Sequence, residues 1–335
     1  MFRFRKATST PRPSWDTACK PGVCAPDEPG IINAWSLGQR LAGLDNSATP
    51  TATDLSGDQL ARRLGAGLDF DQLRAYQPGE PAAMIDWRLS MRAGEPLVRE
   101  YRKPAQRQLH LILEDTPAMW FATRKQLKRS LMLLCAHLLS AAGVQQNLAV
   151  RLHPMGGIDP RHSGLETTSK ATLLARLDQW QQCRQPTQVP TDWAGLTARL
   201  LQQRPSGSLL AVVADLNGPQ WELNSAWTAL AQQHRLLIFG LYDPAEVKLP
   251  DIGTVSLADG QGQPVGVIDT HRGHTNRELQ RWHKRRYDTL ADLATAFGGL
   301  FLPLDTRTDV DALFARLQHL LLSGAPVING EGQNA

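Results

Sequence analysis

Two stretches of this chain, SLLAVVA at 208–214 and LLIFGLY at 236–242, are unbroken apolar runs rich in β-prone residues. A strand with one wet face alternates apolar and polar side chains. A strand without alternation is buried on both faces. QLHLIL at 108–113 carries the same mark, as do shorter runs at 148–152 and 300–304. Between these runs, apolar residues recur at helical spacing. The pattern predicts helices over 127–143, 169–182, 191–203, 220–233, 276–297 and 309–322. The segment 255–268, broken by Asp259-Gly260-Gln261-Gly262, reads as a hairpin. Strands alternating with helices predict an α/β fold over 108–322, a doubly wound, mostly parallel sheet.

The remaining chain is less regular. Residues 1–59 read as a flexible tail and linker holding one short helix at 31–44, with prolines at 11, 13, 21, 26 and 29. Residues 60–107, denser in charge and punctuated by Pro78-Gly79 and Ala93-Gly94, read as a small β-containing subdomain. Residues 323–335 read as a second flexible tail.

Composition excludes several classes. With 42% hydrophobic and 20% charged residues among 335, the chain has ample apolar surface for a packed core. The net charge of +4 is too small to argue for nucleic acid. Four cysteines without a C-x-x-C pair suggest a reducing compartment, hence the cytoplasm. No apolar run follows Arg3, Arg5 and Lys6, so no signal peptide is expected. The most apolar stretch, 131–144, is shorter than the roughly 20 residues that a membrane span needs.

Ligands of a wound sheet bind beyond the carboxyl ends of its strands. Glu114, Asp115 and Thr116 follow the first predicted strand, Asp215 and Asn217 follow another, and Thr191-Asp192 open a helix. Carboxylate and hydroxyl oxygens meeting at one edge suit a hard cation such as Mg²⁺. The same residue types also serve as ordinary helix caps and turn formers. Trp120 and Phe121 are candidate partner anchors or core residues. The phosphate-loop, dinucleotide, nucleophile-elbow and H-E-x-x-H motifs are all missing. Asp269, His271, His274 and His283 resemble a zinc set only loosely, because the cations of 272–286 crowd them. That basic segment instead offers a solvated face or a nucleic-acid surface. In 67–107, Tyr76, Asp86, Trp87, Arg88 and Arg92 are expected to form a structural cluster around a buried acid–guanidinium pair.

At these residues the chain resembles a known family. FDQLRAYQPGEPAAMIDWRLSMRAGEPLVREY at 70–101 is similar to the signature of the domain-of-unknown-function 58 family, with Tyr76, Gly79, Ile85, Asp86, Trp87, Ser90 and Arg92 matching and Pro81 and Ala83 departing. The likeness continues through 112–143, 208–218 and 241–250. It implies a von Willebrand A-like α/β domain with a metal-ion-dependent adhesion site. Carried over residue by residue, that site falls on Glu114, Thr116, Thr191 and Asp215, with Ala118 where a hydroxyl ligand belongs. Mg²⁺ is therefore expected to bind weakly or not at all. The resemblance further implies a non-enzymatic adaptor that partners a MoxR-type AAA+ ATPase and its clients, meeting them at Asp115, Trp120, Phe121, Asp192 and Asn217. A metal-dependent hydrolase and nucleic-acid binding through 272–286 are the competing readings.

Overall fold

The computed structural model describes residues 3–6, 22–41, 44, 69–77, 85–102, 108–156, 166–182, 191–202, 208–222, 224–258, 264–271 and 273–323. The chain divides into two units, one formed by 1–49 with 107–335 and the other by 50–106.

The larger unit is built on a six-stranded sheet. In chain order its strands are β4 (Gln108–Asp115), β5 (Ala149–Gly156), β6 (Glu166–Thr167), β7 (Leu209–Asp215), β8 (Arg235–Tyr242) and β11 (Leu300–Asp305). They lie in the order β11-β8-β7-β4-β5-β6. All pairs are parallel except the short edge strand β6. Five parallel strands thus form the mixed α/β fold that the apolar runs predict.

Alternate side chains of each strand enter opposite cores. Leu109, Leu111 and Leu113 pack on one side with Ala211 and Val213, against α1 (Glu28–Arg40), α3 (Lys128–Gln145), α4 (Lys170–Gln181) and α9 (Val310–Ser323). Ile112, Leu210, Val212 and Ala214 face the other way, toward α5 (Trp193–Gln202), α6 (Asn224–Gln233) and α8 (Gly273–Ala296). Both faces are covered, which is why polar alternation is missing from these strands.

Three observations correct the sequence expectations. The stretch read as a tail contains β1 (Arg3–Lys6), which pairs antiparallel with β9 (Thr254–Ala258) beside β10 (Pro264–Asp269). It also contains α1, which is part of the core: Trp35 Nε1 donates to His137 Nδ1 at 3.0 Å, and Gly38 lies against α3. Finally, Cys24 is disulfide-bonded while Cys135 is free and buried, so the cysteines are not uniformly the thiols that a reducing compartment would keep.

The smaller unit pairs β2 (Asp69–Ala75) with β3 (Leu97–Arg102), antiparallel, around α2 (Trp87–Ala93). Among the described residues, no helix is long and apolar enough to cross a membrane.

Candidate functional site

The carboxyl edge of the sheet holds a closed polar cluster. Strand β4 runs two residues past its apolar core to end in Glu114 and Asp115, both buried. Strand β7 ends in buried Asp215. After β8, Asp243 caps the short helix α7 (Pro244–Val247) in a capping box, so that Glu246 Oε2 receives the backbone N–H of Asp243 at 2.8 Å. Into this group comes Lys128, the first residue of α3, wholly buried. Its ammonium lies 2.7 Å from Glu246 Oε1 and 3.2 Å from Asp215 Oδ2. The ring of Phe121 lies beneath it, 5.8 Å from the nitrogen.

Each carboxylate oxygen of this group has a protein donor. Asp215 Oδ1 accepts the Asn217 N–H at 3.0 Å, and Glu246 Oε2 accepts the Asn217 side-chain amide at 3.2 Å. Glu114 Oε2 accepts the Asp215 N–H at 2.8 Å and Gln220 Nε2 at 3.1 Å, while Thr116 Oγ1 donates to Glu114 Oε1 at 3.4 Å. Gln220 and Trp221 also donate to the Asp215 carbonyl. Among the described residues, only the amide oxygens of Asn217 and Gln220 are buried there without a donor.

Electrostatics follow from this packing. Burial, with the Asp215 charge adding to it, pushes Glu114 up to about 8, so it holds a proton at neutral pH. Burial likewise raises Glu246 above the usual carboxylate range despite Lys128 beside it. Burial works against the Lys128 charge, yet Asp215 and Glu246 more than offset it and raise its pKa above the ordinary lysine value. Asp243 is held below its usual value, because hydrogen bonds from Thr123, Thr306 and Ala245 outweigh burial.

A second buried pair adjoins the first. Arg129 Nε lies 3.1 Å from Asp115 Oδ2, its guanidinium stacks 4.8 Å from the Trp120 ring, and Trp120 Nε1 donates to Asp115 Oδ1 at 3.0 Å. Arg129 also reaches the carbonyls of Cys24 and Trp180. The acid–tryptophan–arginine arrangement expected in 67–107 thus occurs here instead.

The structure brings Glu114, Thr116 and Asp215 together, with Asn217 beside them. It does not join Thr191 to them: among the described residues, the half-buried Thr191 makes no hydrogen bond to the cluster. Asp192 caps α5 through Gly195 and is exposed, 3.8 Å from Arg199. Asp115, Trp120 and Phe121 are buried, which corrects their reading as partner contacts. Mg²⁺ does not fit the set, since a lysine ammonium already spans Asp215 and Glu246. Among the described residues, no three His, Cys, Asp or Glu side chains converge to hold a metal. The imagined zinc set is dispersed, with His271 beside Asp251, His274 near Glu278, and His283 buried against Tyr242. Arg272 lies outside the described residues.

The signature cluster is also corrected. Asp86 is the N-cap of α2, its Oδ1 accepting the Leu89 N–H at 3.1 Å. Ser90 Oγ donates to the Asp86 carbonyl and accepts the Leu97 N–H at 2.8 Å, tying α2 to β3. The Tyr76 N–H donates to the Pro96 carbonyl. Trp87, Arg88 and Arg92 are exposed, so among the described residues neither arginine is buried against Asp86. Trp87 and Met91, one turn apart, are 61% and 85% exposed. Pro78, Gly79, Pro81 and Ala83 lie outside the described residues.

Sequence reasoning passed over Lys128, Arg129, Gln220, Asp243 and Glu246. Two signals were available. Asp243-Pro-Ala-Glu246 is a capping-box sequence. Lys128-Arg129 places two cations in the first turn of an apolar helix, against its dipole. Such a placement calls for buried acids nearby.

Comparison with known proteins sets this architecture among relatives. Uncharacterized proteins of Mycobacterium bovis and Mycobacterium tuberculosis are 26% identical to it over 219 residues, 64% of this chain. The match spans 66% of those relatives' length, just under two thirds. Among solved structures, a conserved hypothetical protein, BatB from Bacteroides thetaiotaomicron, aligns with a TM-score of 0.40 and 14% identity, covering 65% of this chain and 98% of that one. A point mutant of the PilB minor pilin from Streptococcus sanguinis aligns with a TM-score of 0.32 and 9% identity, covering 70% and 68%. The family model described as "Protein of unknown function DUF58" matches residues 72–288, from β2 of the smaller unit into α8 of the larger, and the chain belongs to that family.

Proposed function

We propose that this chain is a non-enzymatic protein-interaction module, an adaptor that partners a MoxR-type AAA+ ATPase and its clients and carries a von Willebrand A-like α/β unit. The observation that supports this reading is the exposed pair Trp87 and Met91 on α2, flanked by exposed Arg88 and Arg92. Tryptophan, methionine and arginine are the residue types enriched at the centres of protein interfaces. The sheet edge is a poorer candidate, because its carboxylates are spent on one another's donors. The docking residues are accordingly those of α2 rather than the buried Trp120 and Phe121.

The test is capture of a purified MoxR-type ATPase from the source cell by the full chain and by Trp87→Ala/Met91→Ala. Capture by the parent alone, with both proteins melting at the same temperature, supports the proposal. Equal capture by both removes α2 from it, and no capture by either removes the ATPase.

Nucleic-acid binding through α8 is a second reading. Arg277, Arg281 and Arg285 are exposed at four-residue spacing there. Part of the helix's charge is answered locally, by Arg281–Glu278 at 3.0 Å and Lys284–Asp288 at 2.8 Å. Affinity for duplex or single strands that falls steeply with salt would favour this second reading.

A further inference from the structure

An α/β sheet of this winding presents its ligand site beyond the carboxyl ends of its strands, and a cation at the ends of β7 and β8 would sit between Asp215 and Glu246. That position is taken by a side chain. Lys128 Nζ lies 2.7 Å from Glu246 and 3.2 Å from Asp215, and the residue is fully buried. Asn217 bridges the same two carboxylates through their other oxygens. We propose that Lys128 is a built-in cation that stands where a divalent ion would, so that the loops after β4, β7 and β8 are held assembled without metal.

Three physical points carry this. An ammonium on its own chain cannot dissociate, so no concentration of free ion governs the edge. Mg²⁺ needs near-octahedral oxygen ligands at roughly 2.1 Å, and it cannot share Asp215 and Glu246 with an ammonium already at hydrogen-bond distance. Finally, α3 spends its first turn on two cations, contrary to its dipole, which is explicable if the acids they meet are structural. Removing the ammonium would leave the Asp215 and Glu246 carboxylates on either side of the vacated position, oxygen donors of the kind a hard cation takes.

The test follows melting temperature and Mn²⁺ binding, the latter by loss of the free-ion paramagnetic signal. The parent protein should melt at the same temperature in excess Mg²⁺, in Mn²⁺ and in chelator. Lys128→Ala should melt lower in chelator, rise by several degrees in Mn²⁺, and bind one ion per chain. Should Lys128→Ala fail to fold in chelator, refolding it with and without Mn²⁺ carries the same comparison, recovery only with the ion supporting the proposal and no recovery in either overturning it. A parent that is stabilised by Mg²⁺ or destabilised by chelator overturns the proposal. So does the absence of any Mn²⁺ response in Lys128→Ala.

Discussion

Lys128 and Asp215 form an ion pair of 3.2 Å with both side chains shut off from solvent, and the pair joins the first turn of α3 to the end of β7. Removing one partner of such a pair strands a buried charge, which costs about 3–5 kcal/mol, whereas removing both with their neighbours is often nearly neutral. Lys128→Met alone should therefore lower unfolding free energy by about that amount. Lys128→Met/Asp215→Asn/Glu246→Gln should recover most of it. Urea denaturation checks this, and strictly additive effects of the three changes would count against a coupled cluster.

Asp86 offers a smaller number. As a helix N-cap its loss costs about 1 kcal/mol, against the 3–5 kcal/mol that a broken buried ion pair would cost. Asp86→Ala should therefore cost at least the lost cap, and Arg88→Ala should be silent. Hydrogen exchange across α2 and β3 checks this, and a loss of several kcal/mol would restore the ion-pair reading.

Gly38 gives a test by sign. An exposed helical glycine replaced by alanine gains roughly 1 kcal/mol. Here the added Cβ would meet the Leu138 carbonyl and lie 2.7 Å from Ala141 Cβ. Gly38→Ala should instead destabilise by about 1–3 kcal/mol, the usual cost of overpacking. A more stable variant would mean that α1 does not pack this closely on α3.

Acid should weaken the fold through its buried histidines. His110 and His153 stack with ring centroids 5.1 Å apart, their nitrogens 2.9 Å apart. Burial first, then His153, Arg151 and His234, hold His110 down to about 3. Burial, with Arg151 and Arg199, holds His153 down to about 4. Both lie below the unfolded value of 6.5, so their contribution is whole above 6.5 and is lost as pH falls through those lower values. Glu114 has the opposite sign. Raised from 4.5 to about 8, its contribution is whole below 4.5 and is lost as pH rises through 8. Melting temperature should climb from pH 4 to 6.5. It should then decline toward pH 8 in the parent, and less steeply in Glu114→Gln, where raised Glu246 alone keeps that sign. A flat profile from pH 4 to 6.5 would sink the histidine half.

The strand–helix alternation was legible because burial on both faces erases polar alternation, and 208–214 and 236–242 carry that mark openly. What was not legible came from partners distant in sequence. Strand β4 continues through Glu114 and Asp115, which an apolar pattern ends at Leu113, because Asp215, Gln220 and Arg129 satisfy the carboxylates inside. Trp120 looked like an anchor for a partner, since nothing local reveals that Arg129 stacks on it. Residues 3–6 looked like a tail because the strand they pair with lies some 250 positions later.

That last pairing has a consequence for synthesis. Arg3 sits opposite Ala258, and Asn33 on α1 hydrogen-bonds Asp311 on α9 at 3.2 Å. A ribosome releases these segments some 250 residues or more ahead of their mates, so the nascent polypeptide must carry them unmatched in the meantime. Chains truncated before residue 254 would lack the mate of β1, and those truncated before 311 would leave α1 without its partner on the closing helix.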